Sequence, residues 1–128
     1  RKGKAEPFFL AVGFAKPHLP FVAPKRYWDL YDPAALPVSI SADPPAGAPK
    51  YAPQFGGELR AYIGMPKTGA VPAADARRLV HGYYAAVSYM DAQFGRVLEA
   101  LRESGLAENT VVILWGDHGW HLGDHGIW

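Results

Sequence analysis

The sequence predicts an α/β fold, on three observations. Two short apolar runs, Phe8 to Phe14 and Thr110 to Trp115, lack polar alternation, the pattern of strands covered on both faces in a parallel sheet. Between them, residues 74 to about 104 repeat apolar side chains at three- and four-residue steps, as a long amphipathic helix does. A strand, a crossover helix and a second strand in that order form a right-handed unit with parallel strands.

In chain order, the first run, Phe8-Phe-Leu-Ala-Val-Gly-Phe14, breaks at Lys16-Pro17-His18-Leu19-Pro20. Pro24 to Tyr31 suits a short helix, with Pro24 near its first turn. Residues 32 to 72 are expected to be an irregular loop region, since all 12 prolines lie between residues 7 and 72. A segment of that length without regular structure is either a surface excursion near a site or a disordered connector. On the helix, Leu79, Tyr83, Val87, Met90, Phe94, Val97, Leu98 and Leu101 fall within an arc of roughly 100°. Asp75 can cap its start and Gly105 its end, and Asn109 turns the chain into the last strand. His81 lies off the apolar stripe and is expected to be solvated or capping. Asp91 borders the stripe as a partly buried structural residue, and Tyr83, Tyr84 and Tyr89 serve packing.

Composition narrows the function classes. The 128 residues are read as part of a single domain spanning 1–128. With 13 basic against 12 acidic residues and no basic run, nothing favours nucleic acid. No apolar stretch approaches the ~20 residues of a membrane span. The start, Arg1 to Pro7, has no long apolar region and is not a signal peptide. No Met begins the chain, which is read as an internal piece of a longer protein. The absence of cysteine excludes disulfides and thiolate metal sites.

Ligands of open parallel sheets bind beyond the carboxyl ends of the strands, and both chemically rich stretches lie there. The last dozen residues hold three of the five histidines, in Asp117-His118-Gly119-Trp120-His121-Leu122-Gly123-Asp124-His125-Gly126. A carboxylate beside an imidazole, flanked by Gly116 and Gly119, can approach a cation closely. The same residues also suit a turn-capping Asp with a surface His. The second Asp-His-Gly is set apart by Gly119 and Gly123, so His121 and His125 are expected to line a pocket or brace a loop. At the other strand end, Pro17 and Pro20 bias Lys16 to His18 towards an extended form, in which the ammonium and imidazole converge on an anionic group. A polar turn is the alternative.

Together these residues resemble a known family. Phe8-Phe-Leu-Ala-Val-Gly-Phe-Ala-Lys-Pro-His-Leu-Pro-Phe-Val-Ala-Pro-Lys25 is similar to the middle of the catalytic domain of type I sulfatases, in the branch of iduronate-2-sulfatase-like enzymes. Gly82 to Leu98 resembles the family's helix before its metal-binding strand, and Val112 to Trp128 its Asp-His-Gly block. The resemblance is weak over residues 38 to 72.

The resemblance implies part of an alkaline-phosphatase-like catalytic domain, seen here as strand, irregular loop, long helix and strand. It also implies hydrolysis of a sulfate ester, a sulfated sugar being one candidate, by a hydrated formylglycine beside a bound calcium ion. Asp117 and His118 match the family's late metal ligands. His18 matches a histidine that contacts the sulfate and assists departure of the alcohol, and Lys16 matches the same motif. The nucleophile motif, Cys or Ser followed by Pro and Arg, and the paired aspartates that open the metal site are absent from these residues; the family carries them upstream. Calcium prefers oxygen donors, and the imidazole of His118 suits zinc better. A metal-dependent phosphatase or phosphonate hydrolase of the same superfamily, and a degenerate sulfate- or sugar-binding member, therefore stand as alternatives. Localisation is open, export being only a habit of the family.

Overall fold

The computed structural model describes residues 6–39, 41, 43–52 and 57–128. Pro72, at φ −55° and ψ 142°, closes the irregular region and stands at the N-cap of the main element, the 31-residue helix α2, Ala73–Glu103. Its first turn carries Asp75 near the positive end of the helix dipole, but no side chain caps the free N–H groups. At the other end Gly105 adopts φ +72° and its N–H donates to the Arg102 carbonyl, the left-handed ending that glycine takes without steric cost. The shorter helix α1, Lys25–Trp28, starts after Pro24. Three 3-10 turns complete the regular elements among the described residues: Leu59–Ala61, Ala107–Asn109 and Asp124–Gly126.

The N-terminal half of α2 carries the core. Its buried residues are small: Ala76, Val80, Gly82, Ala85 and Ala86. They let α1 and its flanks approach closely. Trp28 lies so near Gly82 that an added Cβ would stand 2.9 Å from the indole and 3.0 Å from the Phe21 Cβ. Around that contact, Phe21 packs on Tyr83, Tyr27 on Tyr89 and Tyr31 on Tyr84. Tyr31 also shares a short hydrogen bond with Ser88. His81 takes the capping role of the two expected for it, at the last carbonyl of α1. Its ring packs edge-on against Trp28 at 4.8 Å, and Nε2 lies 2.8 Å from the Trp28 carbonyl, where the N–H tautomer donates to it. Arg77 donates to the carbonyls of Pro33 and Ala34, tying down the exit from α1.

The large apolar stripe plays a different part from the one its spacing predicts. Leu79, Tyr83, Val87, Met90, Phe94, Val97 and Leu101 are half-buried and Leu98 is exposed, because full burial goes to the small residues under α1. Phe94's neighbours Val97 and Leu101 instead line an apolar groove with Phe8, Val12 and Phe14. Asp91 is exposed rather than partly buried.

The two predicted strands are not formed: no strand occurs among the described residues. Nor are these runs buried. Val111, Ile113 and Trp115 are 83 to 87% exposed, and Val112 and Leu114, on the alternate face, are also exposed. A strand needs a neighbour about 4.8 Å away to satisfy its amide groups, and neither run finds one among these residues.

The Gly82 contact gives a direct test. Gly82→Ala in the full-length protein is expected to lower stability by about 1–3 kcal/mol through overpacking against Trp28. Gly95→Ala, on the same helix with nothing within 4 Å of the new methyl, is expected to gain about 0.5–1 kcal/mol. Thermal or chemical denaturation reads both, and equal effects would contradict the packing.

Candidate active site

The stretch from Ala15 to Val22 is a turn, not the extended segment its prolines suggest. The His18 N–H donates to Ala15 O at 3.1 Å, and Val22 N–H to Pro20 O at 2.8 Å. Both X-Pro bonds here, Lys16–Pro17 and Leu19–Pro20, are cis. The Lys16 ammonium folds back and donates to the carbonyls of His18, at 3.1 Å, and Pro20, at 2.7 Å. Lys16 and His18 therefore do not converge on a common point: the ammonium holds the turn's backbone while the imidazole leaves it on another side. His18 Nδ1 lies 2.9 Å from Leu19 O. A carbonyl can only accept, so Nδ1 carries the proton and Nε2 faces outward.

Outward from Nε2 stands Glu58, its Oε2 3.5 Å away, with both side chains about half exposed. Glu58 precedes the 3-10 turn Leu59–Ala61. Leu59 is buried at 3% exposure and meets Leu19, Phe21, Trp120, Leu122 and Trp128 around a small apolar pocket. Arg60 donates to Pro66 O and Gly69 O, and Lys67 donates to Arg60 O, so the segment braces itself. Sequence reasoning missed Glu58. The signal was Leu59, a large aliphatic among prolines and glycines in the 32–72 region, which marks an anchored loop.

Asp117 and His118 follow the extended run 110–115. Asp117 is 89% exposed at its side chain, and its Oδ1 accepts from the His118 N–H at 3.0 Å. His118 Nδ1 lies 2.9 Å from Gly119 O, so this ring too keeps its proton on Nδ1 and presents a free Nε2. An Nδ1–H held by a backbone carbonyl is the usual arrangement behind a metal-binding imidazole. Nε2 and Asp117 Oδ2 are 4.0 Å apart. Donors lie about 2.0–2.5 Å from a zinc or calcium ion, so one cation can reach both. The pair fits as two donors of a set. Among the described residues no group of three or more His, Asp or Glu converges to complete it.

One residue unites the two stretches. The Trp120 indole packs edge-on against His18 at 5.6 Å, Phe21 at 5.6 Å and His118 at 6.2 Å. His18 and His118, 100 residues apart in sequence, thus share one aromatic wall. Burial against this cluster raises the Tyr83 phenol above its usual range.

The second Asp-His-Gly is used differently. Asp124 Oδ1 accepts from the Ser39 hydroxyl at 2.8 Å, and His125 Nδ1 lies 2.8 Å from Asp43 O. His125 has φ +52°, a left-handed conformation that His tolerates better than most residues. Gly123, at φ +96°, lies under Trp128, whose ring would meet an added Cβ at 2.7 Å. This tripeptide clamps the irregular region to the site.

The family model described as Sulfatase matches residues 1–128. The chain belongs to the sulfatase family. It is 39% identical to human iduronate 2-sulfatase, over 99% of this chain and 24% of that protein. It is 37% identical to a sulfatase of Formosa agariphila, over 98% and 24%, and 33% identical to an arylsulfatase of Clostridium perfringens, over 98% and 24%. The chain thus spans about a quarter of the length of the curated relatives it matches. Membership implies the alkaline-phosphatase-like α/β fold. No described helix is long and apolar enough to cross a membrane.

The clamp is testable apart from any activity. Asp124→Ala is expected to speed amide exchange around Ser39 and Asp43 roughly fivefold, from about 1 kcal/mol for the lost hydrogen bond, with exchange in α2 unchanged. Hydrogen exchange read by mass spectrometry checks it.

Proposed function

We propose that the full-length protein containing this chain hydrolyses a sulfate ester, and that residues 16–18 and 117–118 form one wall of its active site. The observation that carries this reading is the Trp120 contact with both His18 and His118, in a chain of the sulfatase family. It sets a proton-bearing imidazole beside a carboxylate–imidazole pair suited to a cation.

In this reading Asp117 Oδ2 and His118 Nε2 hold the metal, calcium by family habit, although the nitrogen donor also suits zinc. The bound ion would supply positive charge for the sulfate oxygens. His18 presents Nε2 to the ester's leaving oxygen and assists its departure by protonation. Lys16 acts through the backbone, fixing the carbonyls of His18 and Pro20 and with them the direction of the imidazole. These 128 residues hold no Cys or Ser followed by Pro and Arg, and the resemblance gives that formylglycine nucleophile and the paired metal-binding aspartates as lying upstream. A sulfated sugar is the proposed substrate class; its identity depends on segments beyond this chain.

Two variants test the metal assignment. Asp117→Ala in the full-length protein is expected to abolish metal-dependent sulfatase turnover and to lower bound metal, measured by elemental analysis of the purified protein. Asp124→Ala, which lies in the loop clamp, is expected to keep full metal occupancy. Normal turnover with bound metal in Asp117→Ala would overturn the assignment. The isolated 128-residue chain is expected to show no turnover of any sulfate ester.

A further inference from the structure

We propose that Glu58 is a positioning residue that holds the His18 imidazole for proton transfer to a poor leaving group; the inference rests on the role given to His18 above. Three features on the page carry it. The ring is fixed at one nitrogen by Leu19 O, so its remaining freedom lies at Nε2. Glu58 Oε2 stands 3.5 Å from that Nε2. Leu59, buried beside Trp120 and Leu19, and Arg60, bonded to two carbonyls of its own segment, anchor the turn that carries Glu58, so the carboxylate is placed rather than floating.

The other groups around the ring do not duplicate this part. The Lys16 ammonium is committed to two backbone carbonyls, and Trp120 offers an uncharged ring edge. The His118 ring packs on Trp120, with its centroid 6.2 Å from the indole. Glu58 is the anion that faces the imidazole.

The separation suits the task. Charge-assisted N–H···O bonds run at about 2.7–2.9 Å. In the doubly protonated ring, with Nδ1–H on Leu19 O, a carboxylate at 3.5 Å attracts the Nε2–H and orients the ring without locking the proton to itself. As the attacking oxygen bonds to sulfur, the ester S–O bond breaks and its electron pair stays on the leaving oxygen. Nε2 gives its proton to that oxygen, forming the alcohol and leaving a neutral imidazole with Nδ1–H still on Leu19 O. The proton lost by the attacking hydroxyl passes to solvent, one solvent proton recharges Nε2, so protons balance over the step, and Glu58 stays a carboxylate throughout.

A difference between leaving groups tests this. An alkyl sulfate releases an alkoxide that needs the proton, whereas a nitrophenyl sulfate releases a stable phenolate that does not. In the full-length protein, Glu58→Gln is expected to lower kcat on the alkyl sulfate about tenfold, a part of the 10²–10⁴ that general acid catalysis supplies, with KM within about twofold. On the nitrophenyl sulfate kcat is expected to stay within about twofold. Glu58→Ala, which removes the whole carboxylate, is expected to give the same split. An equal fall on both substrates would mean that Glu58 only supports structure, and no fall on either would mean that it has no part; both overturn the proposal. His18→Asn run alongside separates the two levels. A split in His18→Asn without one in Glu58→Gln removes Glu58 alone. No split in His18→Asn removes the proton role of His18, and absent sulfatase turnover in the unaltered protein removes the proposed function itself.

Discussion

Phe21 stands between the helix core and the site. Its ring meets Tyr83 of α2 at 5.4 Å and Trp120 at 5.6 Å, edge-on in both cases. Such pairs contribute about 0.5–1.5 kcal/mol each beyond the area they bury, and their edge-to-face geometry fixes direction as well as distance. Trp28, seated on Gly82, sets how close the 21–28 segment lies to α2, and so sets Phe21. Phe21 packs on Trp120, and Trp120 packs on both His18 and His118. The site depends on this relay because its functional groups are otherwise exposed: Asp117 is held only by its neighbour's N–H, and His118 by the next carbonyl.

Local features were legible in the sequence and long-range ones were not. The limits of α2 follow from Pro72 and Gly105, one removing an N–H and the other permitting positive φ, and both act within a few residues. Which face of α2 would be buried did not follow. Spacing marked the large residues from Leu79 to Leu101, but close packing by Trp28 selects for small ones, and Ala76, Ala85 and Ala86 carry no signal of their own partner. The capping role of His81 was legible, but its partner, a carbonyl 53 residues away, was not. The two apolar runs read as buried strands, and among the described residues they are neither paired nor buried. Pairing is not legible in one run, because a ladder is a property of two segments.

The irregular region shows most clearly how a segment without periodicity can still be specified. It carries no pattern at period 2 or 3.6, yet it is tied at several separated places. Ser39 and Asp43 are held by Asp124 and His125, Leu59 is buried under Trp120, and Arg60 and Lys67 cross-link residues 60 to 69. Each tie uses one polar pair or one aliphatic, which is enough when prolines have already reduced the backbone freedom to be lost. The region behaves as an excursion at the site, and Glu58 reaches His18 because of it.

The repeated Asp-His-Gly shows why the identity of a motif does not decide its role. Both histidines put Nδ1 on a backbone carbonyl, and in both the Nε2 to Asp oxygen distance is 4.0 Å. The difference lies in what surrounds them. Asp124 already accepts from Ser39, and His125 is half covered by the Asp43 segment in a left-handed turn. A cation there would have to displace a hydroxyl from the carboxylate and compete with the loop the pair secures. Asp117 accepts only from the adjacent backbone and remains open to solvent, beside the wall that carries His18. Two copies of one tripeptide thus differ in what holds them: one is tied to Ser39 and Asp43, some eighty residues earlier in the chain, and the other stays exposed.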